Sequence, residues 1–164
     1  MNPPSGLRAW IEALEASGRL RRVGREVRLV YELAAISKKY DGESALLFES
    51  TDGPAMPIAA NVACRREWYA DSLGVPPGEL LAALQDRQDI RISPAASLDA
   101  PFLENVVSKN IDVRKILPLP TYHELDGGAY ISAGVFFVQD PDTGTGNVSI
   151  HRMHCLESDL FGLL

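Results

Sequence analysis

The sequence predicts an α+β chain, with an N-terminal α/β domain over residues 1–100 and a β-rich segment over residues 101–164. Three observations carry this. Apolar residues recur at helical spacing near the N-terminus. Two short apolar runs flank the turn TDGP (51–54), as paired strands do. Beyond residue 100 the pattern shifts to a period of two, interrupted by Gly- and Asp-rich turns.

The elements follow in order. Leu7, Trp10, Ile11 and Leu14 sit at i, i+3, i+4, i+7 and predict a helix over 5–17. Ser5 can cap its start, and Gly18 can end it in a left-handed conformation. Leu20 to Val23 suits a short strand. Tyr31 to Lys39 is a second helix, with Leu33, Ile36 and Tyr40 on one stripe. SALLFES (44–50) and MPIAANVA (56–63) are strands. Arg66 to Leu73 is helical and stops at Gly74, with Trp68 packed inward. PPGELLAALQD (76–86) is a helix opened by proline, with Leu80, Leu81 and Leu84 on one stripe.

ISPAASLDAP (92–101) carries two prolines and reads as a linker or surface loop. PFLENVV can form a strand, and IDVRKILPLP a short helix ended by its prolines. AYISAGVFFVQ (129–139) and GNVSIHRMHCL (146–156) read as a β-hairpin around the turn cluster DPDTGTG. In its second strand Asn147, Ser149 and His151 share one face, and Val148, Ile150 and Arg152 the other. Taken alone, Asn147 reads as a turn-exit or strand-edge residue and Arg152 as a surface arginine. Asp126 and Asp140 read as loop and turn residues.

The bulk properties exclude several classes. A net charge of −6 disfavours nonspecific binding to nucleic acid or anionic membrane. No apolar run approaches the ~20 residues a membrane span needs. The N-terminus lacks a basic segment followed by an apolar stretch, so the expected location is cytoplasmic. Cys64 and Cys155 read as buried or half-buried thiols rather than zinc ligands.

Four passages together resemble the N-terminal third of the UbiD family, decarboxylases dependent on prenylated flavin mononucleotide (prenylated FMN). LRAWIEALEASGRLRRV resembles the family's first helix and strand. YELAAISKK and ALLFES resemble its next helix and strand. LPLPTYHELDGGAYISAG resembles its "LP…DGG-Y-I-T-G" passage. QDPDTGTGNVSIHRM resembles its "DP-TG-RN-S-R" hairpin, the most specific piece.

The resemblance implies a fold and a chemistry. The hairpin would begin a split β-barrel that holds the flavin. Asn147 would contact the divalent metal, Mn2+ or Mg2+, beside the cofactor phosphate, with K+ a further candidate ion. Ser149 and Ile150 would contact prenylated FMN, and Ser132 would lie near it. Arg152 would belong to the catalytic Arg-Glu-Glu network and hold the carboxylate of a small acid. An arginine suits that role, because its planar fork binds a carboxylate bidentately and keeps its proton. The implied reaction is decarboxylation of an aromatic or α,β-unsaturated acid.

The family's acidic metal ligand and catalytic glutamates have no counterpart here. The barrel is therefore expected to be incomplete, and the chain inactive alone, as an N-terminal fragment or small truncated member. A noncatalytic assembly subunit of a larger decarboxylase-like chain, or a homo-oligomer, is the alternative, because an unfinished sheet edge invites association. A reductase-type split barrel suits the β-rich end but not the α/β start.

Overall fold

The computed structural model describes residues 6–90, 92 and 101–163. The chain runs α1 (Leu7–Ala16), β1 (Leu20–Val27), α2 (Glu32–Lys39), β2 (Ala45–Thr51), β3 (Ile58–Ala60), α3 (Arg66–Leu73), α4 (Leu80–Gln88), α5 (Val113–Ile116), β4 (Tyr130–Gln139), β5 (Gly146–Cys155) and β6 (Phe161–Leu163). Two three-stranded sheets form, with strand orders β1-β2-β3 and β4-β5-β6. The mixed α/β class is as the sequence predicts. Contacts divide the chain into two compact units.

The first unit comprises Met1–Arg22, Tyr40–Leu47 and Ala59–Lys109. Leu14, Ala45 and Trp68 form its buried cluster, with Trp10, Leu20, Val62 and Cys64 packed against it. Trp10 donates its indole Nε1–H to the Val62 carbonyl at 2.7 Å, which satisfies the ring's polar edge within apolar packing. Gly18 takes φ 71 just past α1, and Gly74 takes φ 69 at the end of α3. Both are left-handed positions where a Cβ is unfavourable. Arg19 pairs with Asp71, and the Arg21 guanidinium lies 5.1 Å from the Tyr40 ring.

The second unit comprises Val23–Lys39, Phe48–Ile58 and Asn110–Leu164. Val30 and Thr121 form a parallel bridge. Around it the Tyr31 N–H donates to Thr121 O at 2.9 Å, and the Thr121 N–H to Leu29 O at 3.1 Å. Tyr31 has φ 66, the geometry that turns the chain into α2. Val27, Leu33, Phe48, Leu119, Tyr130 and Cys155 are buried. Arg114 of α5 donates to the carbonyls of Cys155 and Leu156, which ties α5 to the end of β5.

Several expectations are adjusted. Strand β1 extends to Val27, and β3 shrinks to Ile58–Ala60 because Asn61 takes φ 56. PFLENVV is not a strand. A 3-10 turn spans Pro101–Glu104, and Val106 and Val107 are exposed with no sheet to join. In α4 only Leu80 is buried, while Leu81 and Leu84 face solvent. The proposed cap Ser5 and nearly all of the segment 92–101 lie outside the described residues. Cys64 is half-buried and Cys155 buried, as expected for packed thiols.

Candidate functional site

The β4–β5 hairpin pairs antiparallel from Gln139↔Gly146 to Tyr130↔His154. Asp140 holds its turn: the carboxylate Oδ1 accepts from the N–H groups of Asp142 at 2.9 Å and Thr143 at 2.7 Å. Those backbone hydrogen bonds, Thr143's first, keep the carboxyl below its ordinary pKa. Gly144, at φ 70, completes the turn.

Alternation places the side chains as the sequence predicts. Asn147, Ser149 and His151 face the same way as their partners Val138, Phe136 and Gly134. The His151 ring meets Phe136 edge-on, with centroids 5.6 Å apart. On the other face, Val135 pairs with Ile150 and Phe137 with Val148. These four form an apolar band that stays open, with Phe137 79% and Ile150 73% exposed. Toward Arg152 the register shifts between Ile131 and Gly134, so Ser132 and Ala133 together oppose Arg152. Such a bulge re-aims the side chains around it. Gly134 permits it, since a Cβ there would come within 2.6 Å of Met153 Cε and 3.1 Å of the His151 carbonyl.

A pocket of about 190 Å³ lies at this bulge, lined by Tyr122, His123, Asp126, Tyr130, Ser132 and Arg152. The Arg152 guanidinium carbon is 4.7 Å from the Tyr130 ring centroid, a cation–π contact. Its Nη1 is 3.6 Å from Asp126 Oδ1. Tyr130 also stacks on His154, with centroids 4.6 Å apart and planes at 16°. The hydroxyls of Tyr122 and Ser132 are 3.3 Å apart. Tyr122 and His123 also border a wider cavity of about 650 Å³ beside Tyr31, Lys38 and Leu125.

Of the residues singled out from sequence, Arg152 and Ser132 meet in this pocket. Ile150 lies on the same face, in the apolar band. Asn147 and Ser149 lie on the opposite face of β5. Asp126 and Tyr130, both within the DGG-Y passage, also line the pocket, although Asp126 reads from sequence as a loop residue.

This mixed α/β architecture is the one seen in solved UbiD-class enzymes. Residues 11–88 match the 3-octaprenyl-4-hydroxybenzoate carboxy-lyase N-terminal domain, and residues 94–164 match the Rift-related domain of the same carboxy-lyase. The chain belongs to the UbiD family. It is 31% identical over 155 residues to the anhydromevalonate phosphate decarboxylase of Methanosarcina mazei, covering 93% of this chain and 34% of that protein. The UbiD-class enzyme HmfF from Pelotomaculum thermopropionicum, an evolved dimeric form solved with prenylated FMN, superposes with a TM-score of 0.93 at 39% identity. That match covers 96% of this chain and 37% of HmfF. The vanillic acid decarboxylase of Sedimentibacter hydroxybenzoicus, in its closed form, superposes with a TM-score of 0.86 at 29% identity, covering 95% and 36%. The chain spans about a third of the length of the curated relatives it matches.

Proposed function

We propose that this chain forms the acid- and flavin-facing part of a prenylated-FMN-dependent decarboxylase acting on an aromatic or α,β-unsaturated carboxylic acid. The observation that carries the reading is Arg152, held on the Tyr130 ring at the wall of a small pocket beside an open apolar band. A flat conjugated ring is apolar over its faces, and the band of Val135, Phe137, Val148 and Ile150 suits it. Ser132 and Arg152 stand at the polar end of that band. Arg152 would bind the acid's carboxylate bidentately. The cofactor, when bound, supplies the electron sink for loss of carbon dioxide.

In this reading residues 1–100 are the N-terminal domain and residues 101–164 begin the split barrel. Asn147 would give one neutral oxygen to Mn2+ or Mg2+, and Ser149 would meet the cofactor through its backbone, since its side chain lies on the face of β5 opposite Ile150 and Arg152. Among the described residues no group of three or more His, Cys, Asp or Glu could hold a metal ion. The other ligands would therefore come from outside them. No described helix is long and apolar enough to cross a membrane.

The exposure of Phe137 and Ile150 favours a second reading, in which the hairpin is an assembly surface for a further copy or a larger decarboxylase-like chain. One preparation separates the two. A full-length protein that carries this chain is expressed with a prenyl-flavin synthase, and its flavin absorbance and carbon dioxide release from unsaturated acids are measured. Bound modified flavin with turnover supports the decarboxylase. A flavin-free, inactive protein in stable complex with a larger chain supports the assembly role.

A further inference from the structure

We propose that Asp126 is the positioning residue for Arg152: a fixed loop carboxylate that sets the guanidinium toward an incoming acid. The inference rests on the reading that Arg152 receives the substrate carboxylate. Asp126 is itself held. Its Oδ2 accepts the His123 N–H at 3.1 Å, and its own N–H donates to His123 O at 3.1 Å. Only Oδ1 is directed to Arg152, and the Asp126 side chain is 13% exposed while that of Arg152 is 51% exposed. The half-buried carboxylate is thus the fixed partner and the long, more exposed arginine the adjustable one.

The distance decides what this pair does. At 3.6 Å the contact is an ion pair longer than a hydrogen bond. It holds the guanidinium by charge without consuming an N–H donor, so the planar fork stays available for a bidentate acid. Tyr130 supplies the second restraint by lying under the guanidinium. The loop comes this close because Gly127 and Gly128 follow Asp126. A Cβ on Gly127 would stand 2.8 Å from His154 Cε1, and one on Gly128 3.0 Å from His154 Nε2. The pair of glycines lets the loop lie on the His154 ring, which also stacks on Tyr130.

The test uses benzoate as the acid probe and benzamide as its uncharged control, titrated calorimetrically into the full chain. The Arg152 side-chain signals are followed by nitrogen-15 NMR. Asp126→Asn keeps an oxygen for the His123 N–H and removes only the charge, while Asp126→Ala removes both. The expected result is benzoate binding weakened roughly threefold to tenfold in both variants, the size of leaving one long side chain for the ligand to order. Benzamide binding should stay unchanged, and the Arg152 signals should collapse to those of a freely rotating guanidinium. Benzoate affinity in Asp126→Asn equal to or tighter than wild type overturns the inference and makes Asp126 a bystander or a competitor. Arg152→Ala separates this from the parent reading. If it binds benzoate as tightly as wild type, Arg152 is not the acid's partner and the functional reading fails. If it loses benzoate while the Asp126 variants keep it, only the positioning role fails.

Discussion

Tyr130 stands directly opposite His154 across the β4–β5 ladder, and their rings stack 4.6 Å apart. The same Tyr130 ring carries the Arg152 guanidinium and is itself buried. One aromatic side chain therefore joins hairpin packing to the pocket. Tyr130→Ala is expected to destabilise the fold by about 3–5 kcal/mol, the usual loss for truncating a buried aromatic. Tyr130→Phe keeps the ring and should lose less than about 1.5 kcal/mol. Urea unfolding checks both. An Ala variant with the wild-type midpoint would remove the ring from any structural role.

The two glycines after Asp126 should respond differently to the same substitution. A Cβ on Gly127 would press first on the His154 ring, whereas Gly128 also has φ 151, which L-residues rarely adopt. Each Ala variant should be destabilised by about 1–3 kcal/mol, through crowding at the first and crowding with backbone strain at the second. Removing the ring with His154→Ala should then relieve Gly127→Ala but not Gly128→Ala. A double-mutant cycle by thermal unfolding measures this coupling. Equal coupling for both glycines would show that His154 is not what limits the loop.

Much of this arrangement follows patterns visible in the sequence, and the part that does not has a physical reason. Helix α3 keeps its predicted bounds because Arg66–Leu73 ends at a glycine that takes the left-handed turn. The faces of β5 follow from a strict period of two through Asn147–Arg152. The continuation of β1 past Val23 was hidden by Arg25 and Glu26, because pairing with β2 rather than alternation sustains it. The apolar stripe of α4 overstated burial, since periodicity marks a face without saying what covers it. The bulge at Ser132 and the meeting of Asp126 with Arg152 arise from tertiary register. No local pattern encodes a contact between residues 126 and 152.

The turn of the hairpin should depend on pH. The Asp140 carboxyl is held below its ordinary value by the Thr143 and Asp142 N–H groups. A depressed folded-state pKa gives stability that is present above the unfolded value, about 3.9 for Asp, and that is lost as pH falls through the lower folded value. The amide protons of Asp142 and Thr143 should therefore exchange faster with solvent, beyond the intrinsic rate change, as pH falls through that window. Asp140→Ala should abolish this dependence. Protection that stays flat with pH in the wild-type chain would mean that the carboxylate does not hold the turn.

Arg152 carries the prediction that bears most on function. Its side chain is half-exposed, so Arg152→Ala should leave the fold nearly intact. In the full-length, cofactor-loaded protein the loss of one charged contact to a desolvated carboxylate is expected to amount to about 2–5 kcal/mol. That corresponds to a rate loss of roughly thirtyfold to several thousandfold. Arg152→Lys keeps the charge but not the planar fork, and should recover little. Asn147→Ala should behave differently, because Asn147 lies on the opposite face of β5. It should weaken metal and cofactor retention first, so that excess Mn2+ or Mg2+ partly restores turnover, whereas neither ion should help Arg152→Ala. Carbon dioxide release at matched flavin loading checks both variants. Near-wild-type turnover by Arg152→Ala would mean that β5 has only a structural role in its sheet and that the acid is held elsewhere.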